Sequence, residues 1–532
     1  MNVNEAAVVC QDRGKWKEVV SAYPVGKRRD CVNEFNKCIS RKMLFLILGM
    51  VAAGLLVWLF IHQRARDRFW ADRGVPHSAP HPLLGNFNFV FKKNVGVWMR
   101  DLHAKFSAPI VGIWVFRQPV LVVGDPEVSK RILLSDSDLF RNRYLSSGKS
   151  DPIGGLNIFT IKEPTWSNVR RRMTYIFTAA KLKAMHEFMS SKSKATVERI
   201  KQDLTLFADF TTDIIGTFAF GIENNAIITG DSPIRAVTRD FMKFDWFRGF
   251  SWYSIFFCPS LVDIFRFSMF PRKSVSFFRR IVSEIIEQRT ASNIEKNDLL
   301  DALIKMKKEG LDEGPISEFT DDLLVAQAVV MLQGGFDTTA GSLTFTVYEL
   351  AFKPEIQEKL YKELVDAKAS IGGADLNFTN LESLTYLNCV IKEGLRRYPP
   401  MGWLDRISDV DYPINDKLTL PAGTPVYINA IGMHHNPKYF PEPYEFNPDR
   451  FLPENQSNIV PCSYLPFGDG PRMCIGIRFA QMTMRYQLAN LVLAMEFKPL
   501  PDYPKPNNID YEKKGLFLMP EKPLSVDFIP RN

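Results

Sequence analysis

A mainly α-helical protein with small β-sheets, preceded by a single N-terminal transmembrane helix, is the fold class this sequence predicts. Three observations carry the prediction. Residues 43–61, MLFLILGMVAAGLLVWLFI, hold no charged or strongly polar side chain. Apolar residues recur at three- and four-residue spacing through 163–188, 194–222, 317–353 and 381–397, the period of an amphipathic helix. The stretch APIVGIWVFRQPVLVVGDPEV instead gives two β-branched runs separated by RQP, a hairpin ending at Gly124.

The apolar run comes first. As a helix it spans about 30 Å, the thickness of a bilayer core. A cleaved signal would have a shorter apolar region followed by small residues, whereas WLFIHQRARDRF follows here. Arg64, Arg66 and Arg68 place the C-terminal bulk in the cytosol by the positive-inside rule, with Arg41 and Lys42 opposing. Residues 1–42 look like neither a signal nor a domain. The expectation is that translation starts at Met43 and that 1–42 is an upstream extension. A basic, proline-rich hinge, 62–86, follows, stiffened by Pro76, Pro80 and Pro82.

Beyond it, 532 residues with 46% hydrophobic content leave room for a large core. No internal repeat or low-complexity linker interrupts 75–532, which reads as one folded unit. Seven cysteines, an odd count without CxxC pairs, argue against a disulfide scaffold or a zinc site. The net charge of +8 is spread along the chain, so nucleic acid is not the expected partner; an acidic protein or a membrane surface is. The aromatic segment 241–270 carries Lys243, Arg248 and Arg266, charges a buried helix would not usually hold. It reads either as a membrane–water interface or cavity lid, or as ordinary core packing.

The chemistry centres on LPFGDGPRMCIGIRFA, 465–480. Gly468, Gly470 and Gly476 permit positive φ and close approach to something flat and bulky. Amides of such a loop can point at the Cys474 sulfur, and Arg472 adds positive potential or a clamp for a carboxylate. The thiol could serve as nucleophile or as metal ligand. A nucleophile needs a histidine base, and none of the seven histidines stands in a suitable setting; His434 and His435, in GMHHNPKYFPEP, look like a turn.

The loop FGDGPRMCIG, Phe467–Gly476, resembles the cysteine signature of the cytochrome P-450 family. The resemblance implies that Cys474 is the axial ligand of iron in haem b (iron protoporphyrin IX), with Phe467, Gly468 and Gly476 against the cofactor. Thiolate donation to iron favours O–O cleavage. EGLR, followed by RYPP, supplies Glu393 and Arg396, and FNPDRF supplies Arg450; in the family these form a structural charge cluster. GGFDTT, 334–339, places two glycines inside a helix at a cost of about 1 kcal/mol each. By resemblance this is a local distortion, with Gly335 at the haem and Asp337 and Thr338 as the acid–alcohol pair that delivers protons. WSNVR sets Trp166 one turn before Arg170, and the resemblance assigns Trp166, Arg170, Arg406 and Arg472 to the haem propionates. Arg478 begins the next helix and faces either the haem or a redox partner.

The resemblance covers 70–532 and lies nearest to insect microsomal members that process xenobiotics. It implies a monooxygenase on the cytosolic face of the endoplasmic reticulum membrane. NADPH–cytochrome P-450 reductase supplies its electrons, cytochrome b5 is a second candidate donor, and a lipophilic small molecule is the substrate. The rivals are a haem isomerase or dehydratase that needs no reductase, and a non-catalytic haem or ligand carrier. Pocket walls are expected from 141–160, 241–257, Val329–Gly335, 400–405 and 514–518.

Overall fold

The computed structural model describes residues 68–531 except 201–203, 244, 293–294, 297 and 310–318, together with 18, 21, 40, 43–54 and 57–58. The extension 1–42, the rest of the expected span and hinge residues 62–67 therefore lie largely outside the described residues. Within the unit Met1–Phe69, residues 43–54 are helical with exposed side chains. Among the described residues no helix is long and apolar enough to cross a membrane.

In the unit Trp70–Asn532, helices enclose small sheets. The longer helices are α1 (Val95–Phe106), α2 (Thr165–Thr174), α3 (Leu206–Phe220), α4 (Trp246–Phe257), α5 (Asp321–Ala351), α6 (Thr385–Arg397) and α7 (Ile477–Ala494). The strands are β1 (Ile110–Val115), β2 (Gln118–Val123), β3 (Leu404–Ile407), β4 (Tyr412–Asn415), β5 (Leu418–Leu420), β6 (Pro425–Ile428), β7 (Met495–Pro499) and β8 (Val526–Pro530). The hairpin β1–β2 forms where its β-branched runs require it, with Ile113 opposite Val120. It extends through parallel β6 to antiparallel β3, giving the order β1-β2-β6-β3. β4 and β5, and β7 and β8, form separate pairs.

Helix α5 runs unbroken for 31 residues through the core. Thr320 caps it by accepting from the Leu323 amide, and Asp321 and Asp322 favour its positive end. The two helices expected over 163–188 and 194–222 are instead divided. The first breaks at Thr178, the second at Ile200, both in extended conformation, because periodicity persists across a break that only the backbone shows.

The aromatic segment resolves into two faces. Trp252, Tyr253, Phe256 and Phe257 of α4 are buried, while Trp246, Phe247, Ile264 and Phe265 are exposed. Arg248 corrects the expectation that its charge keeps it from the interior. It is buried, lies over the Trp252 ring at 5.4 Å and donates to the Ser268 carbonyl at 3.0 Å. Burial pushes its guanidinium down to about 10.

Candidate functional site

The cysteine loop precedes α7. Gly468 and Gly470 both have φ of +72°, a conformation that favours glycine. A Cβ at Gly470 would lie 1.9 Å from the Leu133 carbonyl oxygen, so side chains are excluded there. The Cys474 amide then donates to the Phe467 carbonyl at 2.9 Å, closing the loop. Gly476 departs from expectation: its φ is −93°, and it caps α7 instead of turning the chain. A Cβ there would meet only the Phe177 ring edge, at an ordinary contact distance of 3.9 Å. Gly468 turns the loop but does not line the cavity described next.

Cys474 is open to a cavity of about 270 Å³ within the fold. Burial raises its thiol pKa, while the Gly476 amide, Arg170 and Arg143 pull it down. The expected stabilisation of thiolate is thus present but outweighed by desolvation. Cys474, Phe467 and Gly476 form one wall; Gly334, Gly335, Thr338 and Thr339 of α5 form another. Between them lie Ile158, Phe159, Trp252, Phe256, Met401 and Phe517, drawn from the expected wall segments. Ile215 of α3 and Met269 were not foreseen.

Four guanidinium groups gather at one side. Arg472 stacks on the Trp166 ring at 3.8 Å and donates to the Arg141 carbonyl at 2.8 Å. Arg170 donates to the Met473 carbonyl, beside the cysteine, at 2.9 Å. Arg406 is buried and donates to the Asp405 carbonyl at 2.8 Å, but it does not line the cavity. Arg143 lies in no motif and was not foreseen. It lies over Phe159 at 4.0 Å, and its buried Nε has no hydrogen-bond partner among the described residues. Burial, with mutual repulsion, pushes Arg472 down to about 8 and Arg406 to about 10. Buried Asp405 is a carboxylate that acts on three of them, Arg143, Arg406 and Arg472. Four guanidinium groups against Asp405 and part-buried Glu163 leave the cluster short of anions, and it adjoins the wall that carries the cysteine sulfur and Gly476, which has no Cβ. Those features fit a flat, dianionic, metal-bearing macrocycle approached by a cysteine sulfur.

On α5 the helix is not distorted at its glycines, contrary to expectation. The Thr338 hydroxyl donates to the Gly334 carbonyl at 2.7 Å within a continuous helix. The two glycines divide the work. A Cβ at Gly335 would meet Ile215 Cγ1 at 2.5 Å, so Gly335 lets α3 pack closely, whereas nothing lies within 4 Å of one at Gly334. Gly335, the one expected at the haem, lines the cavity, and Gly334, which was not singled out, provides open space on the same wall. Asp337 is buried off that wall, with Oδ2 unpartnered among the described residues. Burial pushes its carboxyl up to about 7, Arg235 pulling the other way.

Behind the cysteine loop, Glu393 and Arg396 of α6 are fully buried and form a bidentate pair at 2.7 and 2.8 Å. Arg450 Nε lies 3.5 Å from Glu393, whose Oε1 also accepts from the Asn447 amide at 2.9 Å. His434 corrects the reading of its segment as a turn. It ends the short helix Ala430–His434, buried, with Nδ1 donating to the Arg396 carbonyl at 3.0 Å. Its Nε2 accepts from the Leu465 amide at 2.8 Å, so one neutral ring ties the charge cluster to the start of the cysteine loop. Arg478 is exposed at the start of α7.

Comparison with known proteins reaches the same place. The chain is 31% identical to cytochrome P450 6k1 of Blattella germanica, over 86% of this chain and 92% of that one. It is 34% identical to cytochrome P450 6a2 of Drosophila melanogaster, over 85% and 93%. Probable cytochrome P450 6g2 of Drosophila melanogaster gives 33%, over 84% and 92%. Residues 75–528 match the family model described as Cytochrome P450. A thiol beside an anion-poor arginine cluster on one cavity, in a chain whose residues 75–528 match that model, places the chain in the cytochrome P450 family of haem-thiolate monooxygenases, with haem b as cofactor.

Proposed function

We propose that this protein is a membrane-bound monooxygenase that inserts one oxygen atom of O2 into a lipophilic small molecule, using NADPH electrons delivered by a reductase. The carrying observation is the placement of Cys474 and Thr338 on different walls of one largely apolar cavity. Haem, when bound, supplies the iron that activates dioxygen. Cys474 would hold that iron, and Arg143, Arg170 and Arg472 would hold the carboxylates of the macrocycle, Trp166 bracing Arg472. Trp252, Phe256 and Phe517 exclude water and bind the apolar body of the substrate. Thr338 presents its hydroxyl at the cavity. Asp337, one residue away and poised to exchange protons near neutrality, supplies them. Retention of Thr338 favours this reading over a reductase-independent isomerase.

The membrane reading draws on the apolar run 43–61, on Arg64, Arg66 and Arg68 after it, and on exposed Trp246, Phe247, Ile264 and Phe265. The endoplasmic reticulum, with the catalytic unit cytosolic, is the proposed location. A reductase with an acidic flavin domain, or cytochrome b5, would dock near Arg478 and the cysteine loop. The test is turnover of a lipophilic substrate panel by the full-length holoenzyme with NADPH and reductase. Product formed without either electron source would overturn the monooxygenase reading in favour of the isomerase.

A further inference from the structure

Away from the haem cavity, a second crevice of about 330 Å³ opens between the start of α1, the end of α6 and the C-terminal loop 506–513. Five cations line it: Lys92, Lys93, Arg100, Arg397 and Lys513. Arg397 is 5% exposed and already spends two nitrogens, on Glu349 at 2.8 Å and on Asn507 at 2.6 Å. Its Nε, like that of Arg100, is buried without a hydrogen-bond partner among the described residues. His435 on the same wall adds no charge, because burial and nearby Arg396 push it well below the ordinary histidine range. Of the described carboxylates near these cations only Asp510 is on the crevice wall, Glu393 and Glu445 acting on Arg397 from behind it. Asp101 takes Lys93 and lies 3.7 Å from Arg100, and Glu349 takes Arg397. Five cations and one carboxylate on its wall leave a positive excess in a pocket that also holds unmet donors.

The mouth of this crevice is not purely polar. Phe91, next to Lys92 in the chain, is exposed and packs against exposed Trp246 with ring centroids 6.0 Å apart. Lys514, next to Lys513, lies over the same Trp246 ring at 6.0 Å. Cations in a pocket and exposed aromatic rings at its rim match the two ends of an anionic amphiphile.

We propose that this crevice binds the phosphate of an anionic phospholipid head group, with the acyl chains leaving across Phe91 and Trp246. The occupant rests on the membrane-bound reading above; a free phosphate ester shares the anionic chemistry but has no use for the aromatic rim. The test titrates full-length holoenzyme in nonionic detergent with short-chain phosphatidic acid, short-chain phosphatidylcholine and inorganic phosphate, by calorimetry. Phosphatidic acid is expected to bind at least tenfold more tightly than the other two. The double variant Lys92→Gln/Lys513→Gln, at two exposed positions, should lose at least tenfold of that affinity with its haem spectrum unchanged. Equal affinity in wild type and variant would overturn the site. Inorganic phosphate binding as tightly as phosphatidic acid would overturn the lipid and leave a free phosphate as occupant. The titration needs no bilayer, so a protein that fails to fractionate with membranes would sink the membrane reading and leave this result standing.

Discussion

Replacing Glu393 by alanine should cost the protein its haem-binding fold, although Glu393 does not line the haem cavity. The carboxylate is fully buried and receives Arg396 twice, at 2.7 and 2.8 Å, the Asn447 amide at 2.9 Å and Arg450 at 3.5 Å. Truncation leaves Arg396, also fully buried, holding its charge against the neutral carbonyls of His434, Pro443 and Glu445. Leaving a buried ion without its partner costs about 3–5 kcal/mol, and an unmet backbone donor adds about 1–3. Against a typical total stability of about 5–15 kcal/mol, that is roughly a quarter or more of what holds the domain folded. Glu393→Gln separates charge from shape. It keeps one acceptor for Arg396 but turns an amide N–H₂ toward the other nitrogen, so its loss should be intermediate. The assay is haem content per protein from the reduced, carbon-monoxide-bound spectrum, paired with the urea midpoint. If Glu393→Ala retained wild-type haem content and midpoint, the pair would not be bracing the cysteine loop, and the reasoning from burial would be wrong.

Asp337→Asn should lower turnover about 100-fold, within the range of lost general acid catalysis, while leaving substrate affinity unchanged. The wild-type rate should decline above about pH 7, where the raised carboxyl of Asp337 gives up its proton, and the variant should lack that limb. His434 gives the opposite kind of pH dependence. Burial and nearby Arg396 hold its folded pKa down to about 3 against about 6.5 when unfolded, so the unfolded chain binds the extra proton. Its contribution is complete above about pH 6.5 and is lost as pH falls toward 3; thermal midpoints of His434→Gln should fall less steeply between pH 7 and 5, and equal slopes would refute this. Arg143→Gln removes a charge-assisted hydrogen bond worth about 1.5–3 kcal/mol to a bound carboxylate, so haem should pass to an acceptor globin about 10–100 times faster. An unchanged transfer rate would remove Arg143 from the cofactor site.

The two ends of the site differ in how far they could be read from the chain. The cysteine loop was legible because its constraint is local: two glycines at positive φ and a cysteine a few residues on are written in one stretch. The α2 motif was legible too, since Trp166 and Arg170 sit one turn apart, and the hairpin β1–β2 declared itself through its alternating β-branched pairs. Arg143 was not. It lies in no motif, and its importance arises only when chain folding sets it near Arg406 and Arg472 in a region short of anions. His434 was misread for a related reason. Histidine after methionine in a polar, proline-bounded stretch looks like a turn until the partners of its two nitrogens, Arg396 and Leu465, arrive from 38 residues before and 31 after.

The glycine pair in α5 shows the same limit at single-residue scale, and it bears on how the cavity works. Sequence pairs Gly334 with Gly335 and invites one explanation for both, a kink. The helix stays continuous, and successive residues about 100° apart around its axis meet different neighbours. Gly335 faces Ile215, so its lack of a side chain brings α3 against α5 and fixes the position of the long helix. Gly334 faces open space and leaves room beside the Thr338 hydroxyl, which bonds its carbonyl. One glycine sets where the wall stands and the other sets how much space lies before it. A larger residue at 335 therefore acts through packing, and one at 334 acts through the volume left to dioxygen and substrate.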